Sequence, residues 1–91
     1  MVPLLPQRSI VECRIQVVPQ PDVCLVFLAG RLNAAQVPEL RRICADVTGR
    51  IRVDLSDLLS ADAVGIDALR RLRRDGAELV GVARYLRRWL M

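Results

Sequence analysis

The run Val23 to Gly30, VCLVFLAG, is the feature that most narrows what this chain can become. It carries no charge over its whole length, yet it falls far short of the ~20 residues a membrane-spanning helix needs. Bounded by Pro19-Gln20-Pro21-Asp22 before it and Arg31 after it, such a run is expected to be a strand buried on both faces. A strand of that kind cannot stand alone. It needs neighbours along both edges and helices to cover it, so the rest of the chain has to supply them.

The first neighbour is visible upstream, where Val11, Cys13, Ile15 and Val17 alternate with Glu12, Arg14 and Gln16. That period of two marks a half-exposed strand, joined to the apolar run by the proline-broken hairpin. From Asn33 the period changes: Val37, Leu40, Cys44 and Val47 recur at three and four residues, with Glu39, Arg41, Arg42 and Asp46 between them. The pattern predicts an amphipathic helix with Pro38 in its first turn, where a missing amide hydrogen costs nothing, and Gly49 at its close. IRVDL, Ile51 to Leu55, reads as a short strand. The stretch Asp57 to Leu72, DLLSADAVGIDALRRL, follows as a loop and a second helix that runs to Asp75-Gly76. AELVGV, Ala77 to Val82, is the next strand, and Ala83 to Leu90 is a short last helix. The order β-β-α-β-α-β-α calls for a small α/β fold with a mixed sheet and helices packed on it. At 91 residues the chain has one core, so residues 10–91 are expected to form a single domain behind a leader of residues 1–9.

Composition removes several functions. There is no histidine, and Cys13, Cys24 and Cys44 lack the paired spacing of a zinc site, so neither a metal nor another cofactor is expected. Each cysteine reads as a small buried hydrophobe. Asp54, Asp57, Asp62 and Asp67 have no histidine or second ligand pattern beside them, which leaves an enzyme without support. With no signal peptide pattern and no membrane-length apolar run, the expected location is cytoplasmic.

Charge is unevenly spread. Ile51 to Leu69 carries one arginine against four aspartates, and Arg70 to Met91 carries seven arginines against Asp75 and Glu78. At ~100° per residue, Gly65, Ala68, Leu69 and Leu72 share one face of the second helix and pack inward, while Ala63, Asp67, Arg70 and Arg74 point away. Asp62 stands where a side chain caps free amides. The arginines Arg70, Arg71, Arg73 and Arg74 read as a solvated face, partly paired with Asp67 one turn earlier. A nucleic-acid or nucleotide binder is the minor reading, because the only aromatics are Phe27, Tyr85 and Trp89. Tyr85, Leu86, Trp89 and Leu90 fall on one stripe of the last helix, which reads as core, with Trp89 as an edge that a partner or a second copy in a homodimer could cover.

Three segments in order resemble the STAS domains, the sulfate transporter and anti-sigma factor antagonist family. FLAGRLNAAQVPEL is similar to the family's Leu-x-Gly-x-Leu strand end and first helix, VDLSDLLSADAVGI to its Asp-Leu-Ser loop and following Asp-Ser-Ser-Gly-Leu, and GAELVGVARYLRRWL to its last strand and closing helix. The resemblance implies a non-catalytic interaction module that docks a protein through the loop and helix start, here Asp57, Leu58, Ser60, Asp62, Ala63, Val64, Ile66, Asp67 and Arg70. The family's phosphorylated Ser or Thr follows the loop aspartate. In this chain that aspartate is Asp62 and the acceptor position is Ala63, so the switch residue is missing and only Ser56 and Ser60 stand nearby. Partner classes implied by the resemblance are an anti-sigma or switch-kinase-like regulator, or alternatively the ATPase subunit of a phospholipid-trafficking ABC transporter.

Overall fold

The computed structural model describes residues 13–91, so the expected leader and the Val11-Glu12 start of the first strand lie outside the described residues. The elements are β1 (Cys13–Pro19), β2 (Cys24–Leu32), α1 (Val37–Ala45), β3 (Ile51–Ala61), α2 (Ala63–Arg74), β4 (Glu78–Val80) and α3 (Arg84–Leu90). The order is the one the hydrophobic periods predict. One mixed sheet runs β1-β2-β3-β4, with β1 antiparallel to β2 and the other two pairings parallel. Parallel neighbours need crossovers, which α1 and α2 provide. Pro19 ends β1 on the sheet edge, where its missing amide hydrogen breaks no ladder bond.

The core is one cluster on one side of the sheet. Val26, Leu28 and Leu32 of β2, Val53, Leu55 and Leu58 of β3, and Leu79 of β4 meet Leu40 and Cys44 of α1, Ala68 and Leu69 of α2, and Leu86 and Leu90 of α3. Helical cover on that side only corrects the expectation for β2. Leu25, Phe27 and Ala29 alternate with the core residues and remain half-buried, sheltered sideways by their cross-strand partners Val18, Gln16 and Arg14. Val17, expected inside, is exposed near the hairpin end of the edge strand.

Several boundaries also differ, β2 among them, which runs on to Leu32. α1 ends at Ala45 with Asp46 as its C-cap, four residues before Gly49, so Val47 lies beyond the helix and is half-buried. β4 keeps only Glu78 to Val80 of the six residues with strand character, because Gly81 turns the chain with φ +67. A Cβ at Gly81 would overlap the Ser56 side chain, so the turn into α3 is pressed against β3. The largest difference is in β3, which runs eleven residues rather than five. That extension builds the site.

Candidate functional site

Residues 57–61, expected as loop, are strand because they stay paired to β2 out to Leu32 opposite Ala61. The pairing is uneven. From Phe27 to Ala29 β2 advances two residues while β3 advances three, and from Gly30 to Arg31 one while β3 advances two. Each shift leaves one extra residue on β3, a bulge that turns the side-chain alternation over. Leu58 is 3% exposed and its neighbour Leu59 70% exposed. The first shift is what puts Leu58 on the side of Val53 and Leu55, so that Leu59, the next residue in the pleat, faces away.

At the end of β3, Asp62 acts as a clasp. Its Oδ1 accepts the Gly65 amide at 2.7 Å, capping α2, and its Oδ2 accepts the Ala34 amide at 3.1 Å from the turn before α1. Its own amide donates to the Leu32 carbonyl at 3.0 Å. Three segments are held by one residue, and both carboxylate oxygens are occupied in doing so. Gly65 lets the helix start lie on the end of β2, since a Cβ there would stand 2.6 Å from the Leu32 carbonyl oxygen. The turn before α1 is further tied by Asn33, whose side chain accepts the Ala35 amide at 2.9 Å.

The residues expected to meet a partner divide into two groups. Asp57, Ala63, Val64, Asp67 and Arg70 are exposed at this end of the sheet and along α2, and Ser60 is half-buried. Asp67 pairs with Arg71 at 3.1 Å, which leaves Arg70 without the acid that its spacing offered. Leu58 belongs to the core and Ile66 packs partly against it, so those two support the surface rather than form it. Asp62 is a cap and a cross-tie, a structural role that leaves little of its carboxylate for another molecule.

Residues outside the expected set also stand here. Leu59 is exposed next to the buried Leu58, and Arg31 is exposed beside Ser60 across the β2-β3 pair. Tyr85 donates its hydroxyl to the Leu58 carbonyl at 3.1 Å and so fastens α3 to the same end of β3. Partial burial raises its pKa above the ordinary tyrosine value, which keeps the hydroxyl a donor. The last helix thus corrects the single-stripe reading: Leu86 and Leu90 are buried, whereas Tyr85 and Trp89 are 47% and 51% exposed. Seven residues give one inward pair at i, i+4, and the second pair lands at the rim. The step of three from Leu55 to Leu58, where a strand repeats every two, was the available signal for the first bulge; nothing in the sequence marked Tyr85 as a tie to β3.

The surface offers little reactive chemistry. Burial raises the pKa of Cys13, and burial followed by the nearness of Cys24 raises that of Cys44, so both thiols are held protonated. Among the described residues, no three histidine, cysteine, aspartate or glutamate side chains come together as a metal site. No described helix is long and apolar enough to cross a membrane.

A mixed four-stranded sheet, helices on one face and a capped helix start beside a bulged central strand define a class of small α/β domains. Within that class the protein has a STAS-like fold. It is similar to the STAS domain of an antisigma-factor antagonist from Rhodobacter sphaeroides, with a TM-score of 0.58 and 23% identity over 76% of this chain and 86% of that one. It is also similar to an anti-sigma factor antagonist from Mycobacterium paratuberculosis, with a TM-score of 0.61 and 20% identity over 74% of this chain and 65% of that one. A third structure, named Mglu, aligns with a TM-score of 0.63 and 19% identity over 76% of this chain and 20% of its own length. No family profile and no curated protein matches the sequence. At such identities the likeness is one of fold.

Proposed function

We propose that the protein is a non-catalytic, STAS-like interaction module that docks a regulatory protein on the surface around the start of α2. The observation that carries this reading is the exposure of large apolar side chains on the elements that meet at this end: Val64 at 47% in the first turn of α2, Tyr85 held to the Leu58 carbonyl, and Leu59 on the opposite face of β3. Exposed apolar groups with charges such as Asp57 and Arg31 on β3 and the neighbouring β2 match the composition of a protein interface. The fold is shared with two anti-sigma factor antagonists, which supports a regulator of partner switching, an anti-sigma factor or switch kinase, as the partner class.

Ala63 occupies the first position of α2, exposed and without a hydroxyl. Docking here is therefore constitutive rather than switched by phosphorylation at that position. The same observation supports a second reading, a permanently bound cytoplasmic subunit of a phospholipid-trafficking ABC transporter that contacts the ATPase, because a fixed subunit has no use for a switch. Partner capture from the native cell separates the two by what is retained.

The test of the surface is Val64→Asp. A carboxylate in the first turn of a helix is mildly favourable, by ~0.3 to 1 kcal/mol, so the fold should hold. Desolvating that charge against a partner without a matching cation costs more than the helix dipole returns. Titration of the captured partner should show weakened binding with an unchanged melting curve. Equal affinity in the folded variant would remove this end of the molecule as the docking surface.

A further inference from the structure

A groove of about 1100 Å³ opens between α1 and α2, running from Val37 and Ala68 toward the end of the molecule where β3 begins. Ala68, its lining residue nearest along α2 to the start of that helix, is five residues, about 7.5 Å, from Ala63. Its floor is apolar, with half-buried Ile51, Leu72 and Ala77 over the buried Cys44 and Ala68. Its rim is basic: Arg41 and Arg42 stand on α1, Arg71 and Arg74 on α2, and Arg50 on the loop into β3, against one acid, Asp75.

Part of that rim has an ordinary explanation. Arg42 is paired with Glu39 at 2.7 Å and Arg71 with Asp67 at 3.1 Å, and arginines in the last turn of a helix complement its dipole, which accounts for Arg74. Arg41 and Arg50 are not in a last turn. Among the described residues Arg41, Arg50 and Arg74 have neither an ion pair nor a side-chain hydrogen bond. The C-terminal ends of α1 and α2 both face this region and together contribute about one negative charge. Three unpaired arginines less Asp75 and that dipole charge leave the rim positive by about one unit.

We propose that this groove binds a single-chain anionic amphiphile, an alkyl chain on the floor with one carboxylate or phosphate monoester held at the arginine rim. One surplus positive charge matches one anionic head and gives a polyanion no advantage. A guanidinium offers paired donors to either head group. The volume lies slightly above the ~300 to 1,000 Å³ usual for a small-ligand pocket. A partner helix fits worse: α1 has nine residues and is about 13 Å long, too short a wall to hold more than two turns.

The full chain is titrated with octyl phosphate, and in parallel with 1-octanol and with inorganic phosphate, while backbone amide shifts are followed by NMR. Octyl phosphate should give saturable shifts centred on Val47, Ile51, Leu72 and Ala77, and each half alone should bind about tenfold more weakly. Ala45→Trp, an exposed position that fills the groove, should abolish the shifts, and Arg50→Ser with Arg74→Ser should weaken binding about tenfold, with melting curves showing both variants folded. Absence of saturation would overturn the proposal. Inorganic phosphate binding as well as octyl phosphate would overturn it too, reducing the rim to an anion patch, as would binding undisturbed by Ala45→Trp. None of these results bears on docking at the start of α2.

Discussion

Gly65→Ala tests the close approach on which the docking end is built. The added methyl would lie 2.6 Å from the Leu32 carbonyl oxygen, 3.1 Å from its Cγ and 3.2 Å from its carbonyl carbon. Ordinary contact begins at ~3.4 Å, so the start of α2 and the end of β2 must part by roughly 0.8 Å. The nearest atom is backbone and cannot swing aside. The same carbonyl accepts the Asp62 amide at 3.0 Å, so the displacement also loads the clasp. Overpacking of this kind costs ~1 to 3 kcal/mol, while replacing glycine by alanine in a helix returns up to ~1 kcal/mol. The net expectation is a loss of about 1 kcal/mol, which in a domain of this size lowers Tm by ~4 to 8 °C. Urea denaturation gives the free energy, and amide shifts of Ala34 and Gly65 report whether the Asp62 bonds lengthen. A variant as stable as the parent, or more stable, with those two amides unmoved would refute the close approach.

Leu69→Ala removes a fully buried side chain from the α2 face of the core and should cost ~2 to 5 kcal/mol, while Arg74→Ala on the exposed face should change stability by less than ~0.5 kcal/mol; equal effects in denaturant melts would mean the helix is rotated. Asp62→Ala loses the cap and the tie to Ala34 together and should cost ~0.5 to 2 kcal/mol, with hydrogen exchange rising at both Gly65 and Ala34; a rise at Gly65 alone would deny the cross-tie.

What the sequence revealed of this fold follows from where a single helix or strand face decides burial. The inward face of α2, Gly65, Ala68, Leu69 and Leu72, was legible because one helix wheel against one sheet leaves no choice of side. The Asp62 cap was legible for the same local reason, since it needs only the amide three residues on. Its second bond, to Ala34, was not, because that partner is 28 residues away and is brought there by the sheet. The uncovered face of β2 escaped for a related cause. A continuous apolar run states that both faces are apolar, and whether a second layer of helices exists is a property of the whole chain.

The length of β3 shows how fold and function meet in this molecule. DLLSA lacks the alternation of a strand, and read locally it is a loop. It becomes strand because β2 continues beside it, and the mismatch between its apolar pattern and the pleat is absorbed by two bulges. Without the second bulge Leu58 and Leu59 would face opposite ways as in any strand, but Ser60 and Ala61 would then be displaced by one residue, and Asp62 would no longer meet the Leu32 carbonyl, Gly65 and Ala34 at once. The second bulge therefore sets the clasp, while the first, between Asp54 and Asp57, turns Leu58 inward and leaves Leu59 outside. The exposure of Leu59 and the position of the helix start both depend on the register of β3, so substitutions that straighten β3 should disturb docking and stability together, and Val64→Asp, which touches no part of that register, should disturb docking alone.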